Sequence, residues 1–350
     1  MLRKLLILLA VLLCLSAAAS AYEIPTDFNG LTPEMVVTEF REAYGLSEHN
    51  FSLSYYNTVT GETYAFNDDW FSIAASTYKL PLNMYFYEMQ QAGEITGDTV
   101  ISWTGQTLDF IHQKSIVDSN NEYSEALMYY WGDHTTYKEN LRKYFTMTDE
   151  QISPLYWQAN WFCTRMMMDC LRYLYANQDQ FEELIGYMKQ AMPDQYFKRG
   201  VPDYEVAHKY GAVQTYFNDV GIIYTPQPFL LAVYTQGLSE NISCEAARLM
   251  TAYTVWQGEQ MVEPEPELPE EPAGQQLMVE QVPLAQPEEP EEPEEPEEPV
   301  PPIPEPEPEQ PVQQPEPHRK DMETFLPAAA VMVLAAVLLL WLLRKIRRKR

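Results

Sequence analysis

Phe71–Leu82 reads FSIAASTYKLPL, and the placement of Ser76 and Lys79 within it decides the rest. From Thr77 to about Met89 the apolar spacing predicts a helix that stops near Gly93, and Pro81 suits only the start of one. Three residues along a helix turn by about 300° and rise by about 4.5 Å, so Ser76 and Lys79 face the same way. A serine hydroxyl is a poor nucleophile without a base beside it, and a lysine serves as that base when desolvation or a second cation lowers its pKa. Backbone N–H groups at a helix start suit the charge that develops on an attacked carbonyl. By itself the pair is equally the opening of an ordinary capped helix.

Upstream, Thr32-Pro33-Glu34 carries a helix-start signature, with a run through Val36, Phe40 and Tyr44 to a stop near Gly45. Phe51–Tyr56 alternates as a strand, Thr60-Gly61 reads as a turn, and Glu62–Phe66 as the returning strand of a hairpin. Residues 96–200 offer helical patches, notably Tyr123–Trp131 and Thr164–Tyr175, and no convincing strand. Tyr204–Lys209, Asp219–Tyr224 and Phe229–Tyr234 are β-rich, and Ser239–Trp256 reads as a closing helix. This order predicts an α+β fold: one antiparallel sheet shared by both ends of the folded part and flanked by helices, with a mostly helical lobe between.

Two further motifs follow the first. Ser119-Asn120-Asn121 falls in the helical part, and Lys209-Tyr210-Gly211 ends a β-run before Asn218-Asp219-Val220-Gly221-Ile222. With Ser76-Thr77-Tyr78-Lys79 they give Ser-x-x-Lys, Ser-x-Asn and Lys-x-Gly in sequence order. On these residues the chain resembles the penicillin-recognising serine hydrolases, specifically their class A β-lactamase-like branch. The likeness spans about Glu34 to Gln257 and implies a β-lactamase/transpeptidase-like fold. It further implies that Ser76 is acylated, that Lys79 takes or relays its proton, and that Ser119 hands a proton to the leaving nitrogen with help from Lys209. Asn121 would hold the amide side chain of the substrate, and the backbone N–H groups of Ser76 and Ala212, beside Gly211, would form an oxyanion hole. The implied substrate is a β-lactam or a D-Ala-D-Ala-type stem peptide of peptidoglycan, handled without metal or cofactor. Ser239-Glu240-Asn241 and Lys198-Arg199-Gly200 also fit the second and third patterns, but their positions in the chain make them structural.

The chain departs from the family pattern in three places. Tyr210 stands where the family has Thr or Ser, Asn120 where it has Asp, and Ile152–Cys163 (ISPLYWQANWFC) holds no acid. Class A enzymes carry there the glutamate that activates the deacylating water, so the resemblance implies slow deacylation or another base, with Asp149 and Glu150 just upstream. Two alternatives to a β-lactam hydrolase follow: a D-alanyl-D-alanine carboxypeptidase or penicillin-binding protein, and a catalytically weak or inactive module that binds wall peptide or a partner.

The composition divides the chain. Residues 259–323 hold 21 acids, 2 bases and 18 prolines, whereas residues 22–258 carry 30 acids and 13 bases. Such a run builds no core and reads as a disordered, semi-rigid stalk over 259–324. Residues 1–21 read as a secretory signal peptide ending Ala19-Ser20-Ala21. Phe325–Leu343 is long enough, at about 28 Å as a helix, to cross a bilayer, and residues 344–350 form a basic tail that stays cytoplasmic. The expected protein is a single-pass membrane protein with its folded domain, 22–258, outside the cytoplasm. A net charge of −28 excludes generic nucleic-acid binding, and five scattered histidines offer no metal site. Cys163 and Cys170 are too far apart on one expected helix to bridge, and with Cys244 they leave an odd thiol, so no disulfide framework is expected.

Overall fold

The Thr32 hydroxyl accepts from the Met35 amide and Pro33 occupies the first turn, so the first helix, α1 (Pro33–Tyr44), begins where its sequence predicts. Gly45 ends it at φ 64°, a left-handed conformation that glycine adopts without strain. The computed structural model describes residues 22–261. The expected signal peptide, all but the start of the acidic stretch, the apolar run and the basic tail lie outside the described residues.

Strands β1 (Phe51–Asn57) and β2 (Thr63–Phe66) form the expected hairpin. Strands β7 (Glu205–Val213), β8 (Tyr216–Tyr224) and β9 (Phe229–Thr235) form the meander, and the sheet order is β2-β1-β9-β8-β7, antiparallel throughout. The two ends of the folded part meet along β1 and β9, paired from Phe51↔Thr235 to Asn57↔Phe229. Because successive side chains point to opposite faces, Leu230, Ala232 and Tyr234 join one core while Phe229, Leu231 and Val233 join the other. Helix α1 and the closing helix α10 (Asn241–Met261) cover the second face through Val36, Phe40, Ala246 and Met250. The first face carries the helical lobe, anchored by α7 (Thr164–Ala176) through Met166, Met167, Cys170 and Leu171. Met166, Met167 and Met168 are all buried in this core.

Differences from the expected elements are local. The helical lobe contains short strands after all: β4 (Val100–Ile101) pairs with β5 (Gln106–Thr107), and β6 (Trp161–Phe162) pairs with β3 (Ser72–Ile73). Two residues are too few for alternation to show. Helix α10 runs to Met261, past both Trp256 and the boundary expected at 258, because Gln257–Gln260 contains no proline. Cys163 caps α7 instead of lying on it, and Cys163, Cys170 and Cys244 are all free and buried.

Lys138, on α5 (His134–Leu141), is fully buried, and its Nζ has no hydrogen-bond partner among the described residues. The amine lies 3.7 Å from the Phe162 ring centroid and 4.2 Å from that of Tyr156. Burial holds its pKa well below the usual lysine value. The unfolded chain therefore binds a proton that the folded chain does not, so stability owed to this position rises with pH up to the ordinary lysine pKa. Replacing the amine by a thioether of similar volume, Lys138→Met, is expected to stabilise the protein by about 1–3 kcal/mol at pH 7. The gain should shrink toward about pH 10. Denaturant unfolding of both proteins at the two pH values checks this, and a variant destabilised at pH 7 would contradict it.

Candidate active site

Ser76 sits on a strained turn. After β3 the chain passes Ala75 at φ 50°, a left-handed conformation that costs a residue with a Cβ about 1–2 kcal/mol, and forms a 3-10 turn over Ala75–Tyr78. Helix α2 (Lys79–Gln91) starts two residues later than its sequence predicts. The facing of Ser76 and Lys79 survives, because positions three apart eclipse in a 3-10 turn. Four contacts from two asparagines and a tyrosine hold the turn in place. Asn160 Nδ2 donates to the Ala75 carbonyl at 2.7 Å and the Asn160 carbonyl accepts from Ala74 N at 3.0 Å. Asn218 Nδ2 donates to the Ile73 carbonyl at 2.8 Å, and the hydroxyls of Thr77 and Tyr234 meet at 2.6 Å.

Ser119, at φ 53°, lies between helices α3 (Leu108–Ile116) and α4 (Asn121–Met128). Asn120 caps α4 by accepting from Tyr123 N at 3.1 Å, and its carbonyl accepts from Ser124 Oγ at 2.6 Å as well as from Lys79. Lys79 Nζ donates to the Ser119 carbonyl at 2.5 Å, to Asn121 Oδ1 at 2.8 Å and to the Asn120 carbonyl at 3.2 Å, with Ser119 Oγ at 3.4 Å. From the sheet side, Lys209 Nζ donates to Ser119 Oγ at 3.0 Å. The two lysines thus converge on one hydroxyl from distant parts of the chain. Burial brings the Lys79 pKa down to about 7, partly opposed by the charge of Glu125 one helical turn beyond Asn121. Burial and then the charge of Lys79 push Lys209 well below the lysine range, with Asp219 pulling it back.

Lys209-Tyr210-Gly211 lies inside β7 and not at the end of a run as expected, since the strand continues to Val213. Gly211 is the close approach that joins sheet to turn: a Cβ there would stand 2.7 Å from Ser76 N and 2.8 Å from the Ala74 carbonyl. Ala212, next along the strand, is exposed beside that contact. The structure therefore brings together Ser76, Lys79, Ser119, Asn121, Lys209 and Gly211. It does not bring a hydrogen bond to the Ser76 hydroxyl among the described residues. The two upstream acids do not fill the gap in Ile152–Cys163, because Glu150 is exposed and Asp149, also exposed, pairs with Arg142 at 3.1 Å. Sequence reading missed the supporting roles of Asn160 and Asn218. Both lie in stretches that the motif reading quoted, but the left-handed turn that needs them leaves no mark in the sequence.

This sheet, helical lobe and serine–lysine cleft define a β-lactamase/transpeptidase-like fold. Residues 36–256 match the model of the beta-lactamase enzyme family, and the chain belongs to that family, within the β-lactamase-like serine hydrolases. No curated protein matches the sequence. Among solved structures, the class A β-lactamase of the last common ancestor of Gram-negative bacteria is similar at 19% identity, over 63% of this chain and 99% of that one, with a TM-score of 0.54. A β-lactamase from Chitinophaga pinensis DSM 2588 is similar at 16% identity, 64% and 99% coverage and a TM-score of 0.53. One from Sphaerobacter thermophilus DSM 20745 is similar at 20% identity, 68% and 100% coverage and a TM-score of 0.51.

Because the atoms nearest the missing Cβ of Gly211 are backbone, the neighbours cannot give way cheaply. Gly211→Ala is expected to destabilise the protein by about 1–3 kcal/mol, the usual cost of overpacking. Urea denaturation measures it, and an unchanged midpoint would show that sheet and turn do not depend on this contact.

Proposed function

We propose that the protein is an acyl-serine hydrolase of the outer cell surface, acylated at Ser76 by a β-lactam or a D-Ala-D-Ala-type amide. The observation that carries this reading is Ser119 Oγ held 3.0 Å from Lys209 Nζ and 3.4 Å from Lys79 Nζ, in the fold that brings Gly211 against the Ser76 amide. Ser76 Oγ attacks the amide carbonyl while its proton passes to the neutral amine of Lys79. The tetrahedral oxyanion lies against the N–H groups of Ser76 and Ala212, each aimed at developing charge and worth a few kcal/mol, of order 3. Collapse breaks the C–N bond, and Ser119 delivers a proton to the leaving nitrogen, replenished through the lysines on either side of it. Water then hydrolyses the ester and frees Ser76.

The acid-free loop supports slow completion of that last step, since a water without a base at hydrogen-bond distance is a weak nucleophile. The activity that fits is closer to a penicillin-binding or peptidase-type protein than to an efficient antibiotic-destroying enzyme. A non-catalytic wall-peptide binder is the second reading, and the observation in its favour is that no hydrogen bond reaches the Ser76 hydroxyl among the described residues. Residues 1–21 would direct export, 259–324 would act as a spacer, and 325–343 with the basic tail would anchor the domain on the outer face of the membrane.

Two measurements test this proposal. Incubating the full chain with a reporter penicillin and weighing the intact protein should give a long-lived adduct that Ser76→Ala abolishes. Rapid colour change with a chromogenic cephalosporin would instead mean efficient turnover, and no adduct would leave only the binder. The second is a pH profile. Because Lys79 is deprotonated above about pH 7, the acylation rate should rise through that pH and then level. Lys79→Met should lower the plateau by about 10²–10⁴-fold, the range for general base catalysis.

A further inference from the structure

One end of the cleft is closed by aromatic rings. Lys209 Nζ donates to Ser119 Oγ and to the Tyr210 carbonyl, both at 3.0 Å, and the Tyr210 ring centroid lies 4.1 Å from the same nitrogen. Lys209 is fully buried and Tyr210 is 9% exposed. The Tyr210 ring stacks in turn on Tyr196, with centroids 5.2 Å apart and planes at 26°.

The segment that presents Tyr196 is strained and clamped. It joins helix α8 (Glu182–Gln190) to α9 (Tyr196–Gly200), with Met192 at φ 39° and Tyr196 at φ 54°. Left-handed conformations at two residues with side chains persist only where the surroundings over-determine them. The surroundings here are a buried pair, with Lys198 Nζ also donating to the Ala191 carbonyl at 2.6 Å. His208 Nε2 meets the Ala191 carbonyl at 2.9 Å, Asp219 Oδ2 accepts from Phe197 N at 2.9 Å, and His208 Nδ1 meets Asp219 at 2.8 Å. His208 precedes Lys209 on β7 and Asp219 lies opposite Tyr210 on β8, so both ends of the segment are fastened to the strands that carry the cleft lysine.

We propose that Tyr210 and Tyr196 form a gate that bars free carboxylates from Lys209. The protein then prefers neutral acyl donors: esters, or amides whose neighbouring carboxyl group is blocked. This rests on the acyl-serine reading above and revises its substrate class: donors with a free carboxylate, penicillins and D-Ala-D-Ala termini among them, become the slow ones. A carboxylate reaching Lys209 must displace a ring held by stacking, while a neutral donor needs no such contact. The field of the folded part, with 30 acids against 13 bases over residues 22–258, repels anions in the same sense.

The test compares acylation of the full chain by a penicillin and by its methyl ester, followed by intact mass. The readout is the ratio of the two second-order rates, acid over ester. Tyr210→Thr and Tyr196→Ala should each raise that ratio by about tenfold or more, the effect of one charge-assisted hydrogen bond. Tyr196→Phe keeps the stack and should keep the original ratio. An unmoved ratio in both opening variants, or the same rise in Tyr196→Phe, overturns the gate. Adducts that persist in Ser76→Ala sink the acyl-serine reading whatever the ratio does, and adducts with neither donor in any variant overturn both.

Discussion

Two buried lysines share one serine hydroxyl, and the rest of the molecule is arranged so that they can. Placing two ammonium groups on Ser119 Oγ at 3.0 and 3.4 Å is costly in a low-dielectric interior. The cost is lowered by giving up protons, which is why burial drives both pKa values down. A lysine that is neutral near pH 7 is the form able to accept a proton from a hydroxyl. Desolvation thus links the fold to the chemistry proposed for it. The carbonyls of Ser119 and Asn120 and the Asn121 amide oxygen take up the donors of Lys79, so the amine stays oriented in either protonation state.

That convergence requires three separate parts of the chain to hold their positions. Ser76 and Lys79 come from the turn entering α2, Ser119 from the α3–α4 junction, and Lys209 from β7. The Gly211 contact sets the distance between sheet and turn, and Asn160 and Asn218 hold the turn from the loop and from β8. Each of these contacts is made to backbone, so none shifts independently of the sheet. The closure of the sheet through β1 and β9 keeps β7 rigid relative to the helical lobe packed on it.

The sheet, the closing helix and the order of the three motifs were legible in the sequence because they rest on alternation, capping and spacing, which are local. Thr32 and Gly45 bounded α1 correctly, and Leu230, Ala232 and Tyr234 alternate as their strand requires. What escaped is set by tertiary contact. Nothing in Ala74-Ala75 announces a left-handed residue, since alanine has no intrinsic preference for it. The short strands β3 and β6 exist because Ala74 N reaches Asn160 O and Ser72 pairs with Phe162, a pairing invisible to any window of neighbours. Tyr210 was visible as a departure from the family pattern, but its partner Tyr196 was not. That stack depends on a clamp between His208 and Asp219 that joins two strands and a loop.

The two departures from the family pattern bear on opposite ends of one proposed reaction cycle. An acid-free loop slows the exit from the acyl-serine state, because the deacylating water lacks a base. An aromatic cover on Lys209 is proposed to restrict entry, because the ring stands between the amine and an incoming carboxylate. An efficient antibiotic-destroying enzyme needs the opposite of both: ready capture of an anionic donor and fast release. A protein that captures selectively and releases slowly fits a role in which the covalent state, or slow processing of a neutral wall or surface component, is the useful outcome. Retention at the outer face of a membrane, as proposed from residues 325–350, would suit such a role, since a tethered domain meets its donor at high local concentration and has little need of rapid turnover.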